Sequence, residues 1–75
     1  MNAEDCLALV RWYAEQNLNF ETARVAKAMA VEHAANPMPV DKANRWLGYV
    51  QGVLSTRHYY SVDDLRAHIR EQVWK

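Results

Sequence analysis

Apolar residues recur at intervals of three and four along the chain, whereas the strict alternation that indicates strands is almost absent. The first such segment covers about residues 3–16, with Asn2 placed to cap its start and Asp5 as the acidic third residue. Its apolar side contains Cys6, Leu7, Leu9, Val10, Tyr13 and Ala14. This pattern predicts an amphipathic helix with one buried face.

A second helix is predicted over about residues 20–35, after a turn at 17–19, and Asn19 is its expected capping residue. The segment is rich in alanine. Its small residues form a continuous stripe that consists of Ala23, Ala26, Ala30 and Ala34. Because small side chains let a neighbouring helix approach closely, we expect this stripe to be an internal packing seam.

Pro37 and Pro39 end the second helix, since proline disfavours helical geometry in the residue before it. A third helix is predicted over about residues 40–57. Its apolar arc contains Val40, Ala43, Trp46, Leu47, Val50, Val53 and Leu54. We therefore expect Trp46 to lie in the core.

A fourth helix is predicted over about residues 62–74, and it begins with the capping pattern Ser61-x-x-Asp64. Its apolar stripe is narrow and contains Val62, Leu65, Ile69 and Val73. No internal repeat, linker or low-complexity segment interrupts the chain. The sequence thus predicts an all-α protein, a compact bundle of about four short helices in a single domain that covers residues 1–75.

The chain has 75 residues, nine of them basic and nine acidic, and its only cysteine is Cys6. A domain this small buries only about 60% of the surface of its unfolded chain, and a lone cysteine on an apolar helix face predicts an inert core residue. We therefore expect reinforcement by self-association or by tight helix packing. The balanced charge disfavours a nucleic-acid module, which ordinarily carries a positive excess.

Motifs for catalysis, metal binding and membrane insertion are missing from the sequence. His33, His58 and His68 lack the spacing of metal ligands, and there is no glycine-rich phosphate loop or nucleophile elbow. We therefore expect no enzymatic activity, catalytic residue, metal or cofactor. No apolar run approaches the ~20 residues of a membrane span and the first residues lack a basic region, so we expect no membrane contact and a cytoplasmic location.

The two glycines, Gly48 and Gly52, both fall inside the predicted third helix. Each costs about 1 kcal/mol of helix stability relative to alanine, so their presence requires a reason. They share the side opposite the apolar arc, with Asn44 and Ser55 beside them. Such a pair lets another backbone or a flat ligand come close. The expected neighbour is another helix of the same chain or, alternatively, a partner chain or ligand.

Aromatic residues and arginine, which are enriched at binding hot spots, supply further contact candidates. Tyr49 borders the glycine side, and Trp12 lies outside the apolar arc of its helix. Arg66 and Arg70 are one turn apart on the fourth helix. The predicted partner-binding residues are Trp12, Asn44, Arg45, Gly48, Tyr49, Gly52, Arg57, Tyr59, Tyr60, Arg66 and Arg70.

One segment resembles a known group of proteins. It reads Met38-Pro39-x-x-Lys42-x-x-Arg45-Trp46-Leu47-Gly48-x-x-Gln51-Gly52-x-Leu54, followed by Tyr60-Ser61-Val62-Asp63-x-Leu65-Arg66. Over about the C-terminal half, the chain resembles short uncharacterised proteins of tailed bacteriophages and prophages that share the R-W-L-G-x-x-Q-G core. The resemblance implies no activity, cofactor or residue role. It implies a setting, since accessory phage proteins of this size commonly act on host processes or defences by binding.

We therefore expect a phage or prophage accessory protein that binds and inhibits, or redirects, a host protein and that associates with itself. One alternative is nucleic-acid binding, which would use Arg57, Arg66, Arg70 and Lys75 or a helix-turn-helix made by the second and third helices. The third helix carries few basic residues for that purpose. Another alternative is an oligomer that sequesters a small anionic, nucleotide-like ligand between arginine, Tyr59 and Tyr60.

Overall fold

The computed structural model describes residues 1–74, which form four helices joined by short connections. The helices are α1 (Ala3–Glu15), α2 (Phe20–Ala35), α3 (Val40–Thr56) and α4 (Val62–Gln72). The predicted all-α bundle is therefore confirmed. Each predicted helix is present, and the largest difference is at the end of α4, which stops at residue 72 instead of 74.

Three of these helices begin with a side chain that caps free backbone N–H groups, as the sequence predicts. Asn2 before α1 and Asn19 before α2 each accept a hydrogen bond of 2.8 Å from the backbone N–H three residues on. Before α4, the Ser61 hydroxyl accepts from the N–H of Asp64 while the Asp64 carboxylate accepts from the N–H of Ser61. This reciprocal pair is a complete capping box, so α4 begins at a well-defined residue.

The start of α3 is held in another way. Pro39 occupies the capping position and offers no side-chain hydrogen bond to the helix. In the last turn of α2, the ring Nδ1 of His33 accepts a hydrogen bond of 3.0 Å from the backbone N–H of Met38. The side chain of Met38 is itself buried. His33 therefore fixes the connection between α2 and α3, a structural role that its sequence position does not reveal.

The core is centred on α1, which contacts each of the other three helices. The most completely buried side chains come from α1, α2 and α3 and are Cys6, Leu9, Val10, Tyr13, Met29, Val50 and Leu54. In contrast, α4 contributes one buried side chain, Leu65. Burial raises the pKa of the Cys6 thiol and keeps it protonated, in agreement with its predicted place as an inert core residue.

The alanine stripe of α2 is only partly a packing seam, contrary to the prediction. Ala26 is buried and Ala30 is half-buried, but the other two alanines of the stripe are exposed. The helix instead directs Val25 and Met29 into the core. These side chains remove more apolar surface from water than alanine does, and their burial decides how α2 is rotated.

The expected core position of Trp46 is also wrong, because its side chain is only half-buried. The core side of α3 is formed by Ala43, Leu47, Val50 and Leu54. At 100° per residue, Trp46 lies roughly 70° around the helix from the centre of this set. It therefore sits at the edge of the interface with α2, where the Lys42 ammonium lies 5.6 Å from the ring centroid.

The end of α3 uses a backbone conformation that favours glycine. His58 has φ 62°, in the left-handed region. The backbone N–H of Tyr59 donates to the carbonyl of Leu54 at 2.9 Å, and that of His58 donates to Ser55 at 3.0 Å. This is the hydrogen bonding of a helix end that glycine usually occupies, and the exposed imidazole offers little to offset the steric cost.

We expect His58→Gly to raise the free energy of unfolding by about 1 kcal/mol, because glycine has no Cβ to clash at positive φ. Urea denaturation followed by circular dichroism measures the change. Asn17→Gly is the matched control, since Asn17 has φ 59° but asparagine tolerates this region, so its gain should be smaller. A less stable His58→Gly would show that the imidazole itself supports the helix end.

Candidate interaction surface

The glycine side of α3 is open. Gly48 and Gly52 are exposed, and a Cβ atom built on either would meet no group outside its own helix within 4 Å. No other helix of residues 1–74 therefore packs there, and the expectation of a neighbour from the same chain is wrong. Of the two neighbours that the sequence suggested for the glycines, a partner chain or ligand is the one that this opening still allows.

Apolar side chains also face outward on α2. Phe20 is 82% exposed and Val31 is 64% exposed, near opposite ends of the helix. Ala23 and Ala28 lie between them and line the same shallow concavity. We call these four residues the α2 stripe. The polar side chains that complete the lining are Arg24, Lys27 and Glu32.

A second concavity lies between α2 and α3 and adjoins the α2 stripe through Ala28. Its lining consists of Arg24, Val25, Ala28, Trp46 and Tyr49. Tyr49, which is 51% exposed, also lines a third concavity with Gly52, Val53, Thr56 and Arg57. The α2 stripe, Trp46, Tyr49 and Gly52 line these adjoining concavities, and Gly48 lies about one turn before Gly52 on α3. We call these residues together the outer surface.

Hydrogen bonds across the junction of α2 and α3 fix the polar side chains of the outer surface. The Tyr49 hydroxyl donates to Oε1 of Glu21 at 3.0 Å, and Arg24 pairs with the same carboxylate. The bonds from Arg24 and Tyr49 lower the pKa of Glu21, and the bond to this carboxylate raises the pKa of Tyr49. Nearer the other end of α2, Glu32 pairs with Lys42 of α3. Both carboxylates are therefore engaged within the chain.

Two predicted contact residues, Trp12 and Tyr60, are instead packed inside the chain around His68 of α4. The His68 ring centroid lies 4.8 Å from that of Trp12 and 4.5 Å from that of Tyr60. Nδ1 of His68 is also 3.0 Å from the hydroxyl of the buried Tyr13, which accepts a further hydrogen bond from Gln51 at 3.2 Å. This aromatic cluster fastens α4 to α1 and α3 and leaves Trp12 and Tyr60 half-buried, so only part of each ring is accessible.

The remaining predicted residues lie on α3, on α4 and in the connection between these helices. Arg57 lies beside Tyr49 on the outer surface. The other exposed residues of the prediction are Asn44, Arg45, Tyr59, Arg66 and Arg70. Of these, Arg66 and Arg70 lie on α4, which lines none of the three concavities described above, and Arg66 is 3.9 Å from Asp63. Lys75 lies outside the described residues.

The prediction from sequence did not include Phe20, Lys27 or Val31. A signal for them was present, because apolar residues occur on two sides of α2 and not on one. Val25 and Met29 cover the side that faces the core. A helix that is apolar beyond its core-facing side has a second surface to bury. That second surface is the α2 stripe.

We expect Gly48→Ala and Gly52→Ala each to raise the free energy of unfolding by up to about 1 kcal/mol, since alanine favours the helix and its Cβ meets open space. Urea denaturation at low protein concentration measures the change in the monomer. Ala43→Gly, at a buried position of the same helix, is the control and should be destabilising. A loss of stability in either alanine variant would mean that another group approaches α3 there.

Tyr13→Phe removes the hydroxyl that joins His68 and Gln51, and we expect it to lower the free energy of unfolding by about 1–2 kcal/mol. Burial raises the pKa of Tyr13, so folding favours the protonated tyrosine. The resulting stability is fully present below about pH 10, the ordinary tyrosine pKa, and is lost as the pH rises through the pKa of the folded protein.

Thermal melting at neutral and alkaline pH measures both effects of Tyr13→Phe. The wild type should lose stability above about pH 10 more steeply than the variant, because only the wild type carries the buried phenol. Tyr59→Phe, at an exposed tyrosine, is the control and should follow the wild type. Parallel curves for the wild type and Tyr13→Phe would contradict the role assigned to Tyr13.

Comparisons with known proteins assign no family to the chain. No protein-family model matches it, and neither the curated proteins nor the solved structures compared with it gave a match. Among residues 1–74, no group of three or more histidine, cysteine, aspartate or glutamate side chains is placed to hold a metal ion. No helix in that part of the chain has the length and apolar character to cross a membrane. Functional inference therefore depends on the outer surface and its chemistry.

Proposed function

We propose that this is a non-enzymatic binding protein that docks a partner protein on its outer surface. The observation that carries the proposal is the exposure of three large apolar side chains on adjacent helices, Phe20 at 82%, Val31 at 64% and Tyr49 at 51%. Single exposed apolar residues are ordinary, but these three line two adjoining concavities that share Arg24 and Ala28, and such a grouping indicates an interaction site. The two open glycines extend this patch along α3.

The chemistry of the outer surface suits a protein partner. Full burial of a phenylalanine or valine side chain contributes about 1.5–3 kcal/mol, so Phe20 and Val31 alone would supply a substantial part of a binding free energy. Tyr49 is an aromatic side chain held by its hydrogen bond to Glu21, which reduces the entropy lost when it is buried. Tyrosine and arginine are enriched at binding hot spots, and Tyr49 and Arg24 line the same concavity.

For the setting, we propose a phage or prophage accessory protein that inhibits or redirects a host protein. This proposal is supported by the position of the R-W-L-G-x-x-Q-G segment in the fold. Trp46, Gly48 and Gly52 of that segment belong to the outer surface, while Leu47 is buried beneath it. The resemblance to phage proteins thus falls on the region proposed for docking, where a shared binding role would place it.

The two alternative functions have less support. Arg66 and Arg70 lie on α4, whereas Arg57 lies beside Tyr49 on the outer surface, so the basic residues suggested for nucleic-acid binding do not share one concavity. Tyr60 is half-buried against His68, which leaves only part of its side chain to clamp an anionic ligand. We therefore favour a protein as the partner.

We expect Val31→Glu to weaken the capture of a partner from host lysate, because it places a charge at one of the apolar anchors that the partner would desolvate. Val62→Glu is the matched control, since Val62 is 56% exposed at the start of α4, away from the α2 stripe. A specific partner is one that the wild type and Val62→Glu retain and Val31→Glu does not. Binding of that purified partner, measured by calorimetry, should be at least about tenfold weaker for Val31→Glu.

Circular dichroism should show the same helix content in both variants, because both sites are exposed. If every protein captured by the wild type binds Val31→Glu and Phe20→Glu equally well, the outer surface is not the docking site and the proposal is wrong.

A further inference from the structure

We infer that the occupant of the α2 stripe is an acidic amphipathic helix of a partner protein and not a second copy of this chain. This inference rests on the docking role proposed above and adds the chemistry of the partner. Two observations support the inference, the spacing of the residues in the stripe and the charges beside them. A third argument comes from the contacts that two copies of the stripe would make with each other.

The spacing of the stripe fits a helix. Phe20, Ala23, Ala28 and Val31 lie along one side of α2, and the distance from the first to the last is about 16 Å at 1.5 Å per residue. That length matches about three turns of a second helix laid along α2. Between Phe20 and Val31, helical geometry places Lys27 and Arg24 near the centre line and Ala23 and Ala28 on its two flanks. The small alanines leave room for side chains of the second helix beside the two cations, while Phe20 and Val31 are large enough to contact it at each end.

The charges at the stripe leave one net positive charge, that of Lys27. Arg24 and Lys27 line the same concavity between the two end residues, and both are exposed. Arg24 is paired with Glu21, and Glu32, which also lines the concavity, is paired with Lys42, so neither pair adds a net charge. Lys27 makes no ion pair within residues 1–74. The centre of the stripe is therefore complementary to an acidic partner.

A second copy does not supply that complement. In an antiparallel pair of α2 helices, the residues that face each other have numbers with a constant sum. Phe20 would then lie opposite Val31 and Ala23 opposite Ala28, which suits their sizes, but Arg24 would lie opposite Lys27. A parallel pair places each cation beside its own copy. Either arrangement brings the two unpaired Lys27 ammonium groups close to the axis, beside Arg24 side chains that Glu21 already neutralises, and like charges disfavour that contact.

The experiment uses two designed helical peptides of about 16 residues, with leucines spaced to match the stripe. In one peptide, glutamates face Arg24 and Lys27, and in the other, lysines occupy the same positions. Fluorescence anisotropy of labelled peptides, titrated with the full chain, measures each Kd. We expect the glutamate peptide to bind at least about tenfold more tightly than the lysine peptide, a difference that shrinks as salt is added.

Variants of the protein test whether the stripe is responsible. Lys27→Glu should weaken the glutamate peptide and strengthen the lysine peptide, while Arg66→Glu makes the same charge change on α4 and should alter neither binding constant by more than about twofold. Val31→Glu should weaken both peptides, because it removes the apolar contact that they share.

Several outcomes would overturn the inference, and they differ from a failure of docking itself. Equal binding of the two peptides, lost in Val31→Glu, would preserve the docking surface but reject an acidic partner. Absence of binding by either peptide would reject a helical partner of this kind. A wild-type dimer in sedimentation that Val31→Glu dissociates would assign the stripe to a second copy. Tighter binding of a short DNA duplex than of the glutamate peptide, weakened by Lys27→Glu, would assign it to nucleic acid.

Discussion

Burial of one face of α1 holds the four helices together, and the least expected member of that face is Tyr13, fully buried although it carries a hydroxyl. Its hydroxyl is paired with His68 and Gln51, so the buried position leaves no polar atom unsatisfied. One side chain thereby joins α1 to α3 and α4. Trp12 and Tyr60 close around the same histidine, which explains why an end helix with a single buried residue is nevertheless anchored.

Packing around α1 leaves the outer sides of α2 and α3 uncovered. Each helix gives its core-facing side to α1, and the contact between α2 and α3 themselves is less extensive. The described chain has no further element to lay across them, because a domain of this size has a large surface for its volume. Phe20, Val31 and Tyr49 are exposed for this reason, and the two glycines of α3 continue the uncovered region.

The charged side chains of the outer surface add a selectivity that its exposed apolar area alone would not provide. Glu21 holds Arg24 and the hydroxyl of Tyr49, and Glu32 holds Lys42, so the carboxylates act within the chain. The positive charge near Lys27 is then left to face outward. A partner would be recognised by shape and apolar contact at the ends of the stripe and by charge at its centre, which is how interfaces combine affinity with specificity.

The sequence by itself determined where the helices begin and what class of fold they make. Asn2, Asn19 and Ser61 cap helices through backbone groups three residues away, so the signal and the structure lie in the same short segment. Helical periodicity also shows that Gly48 and Gly52 share the side of α3 opposite its apolar arc and that Tyr49 borders it, but not that this side is open, since the sequence favoured a helix of the same chain there. Local spacing is sufficient for the caps and for the shared side of the glycines.

Only the tertiary structure decided which residues outside the apolar arc of a helix are exposed in the folded protein. Trp12 appears available on its own helix, yet His68, more than fifty positions along the chain, packs against it, and the same histidine is 55 residues from Tyr13. Conversely, the exposure of Phe20 and Val31 does not follow from the sequence of α2, because that sequence does not show which of its two apolar sides faces the core. Helical periodicity fixes which residues share a side, but the rotation of each helix is set by contacts between residues far apart in sequence. Those contacts placed Val25 and Met29 inward and so created the outer surface.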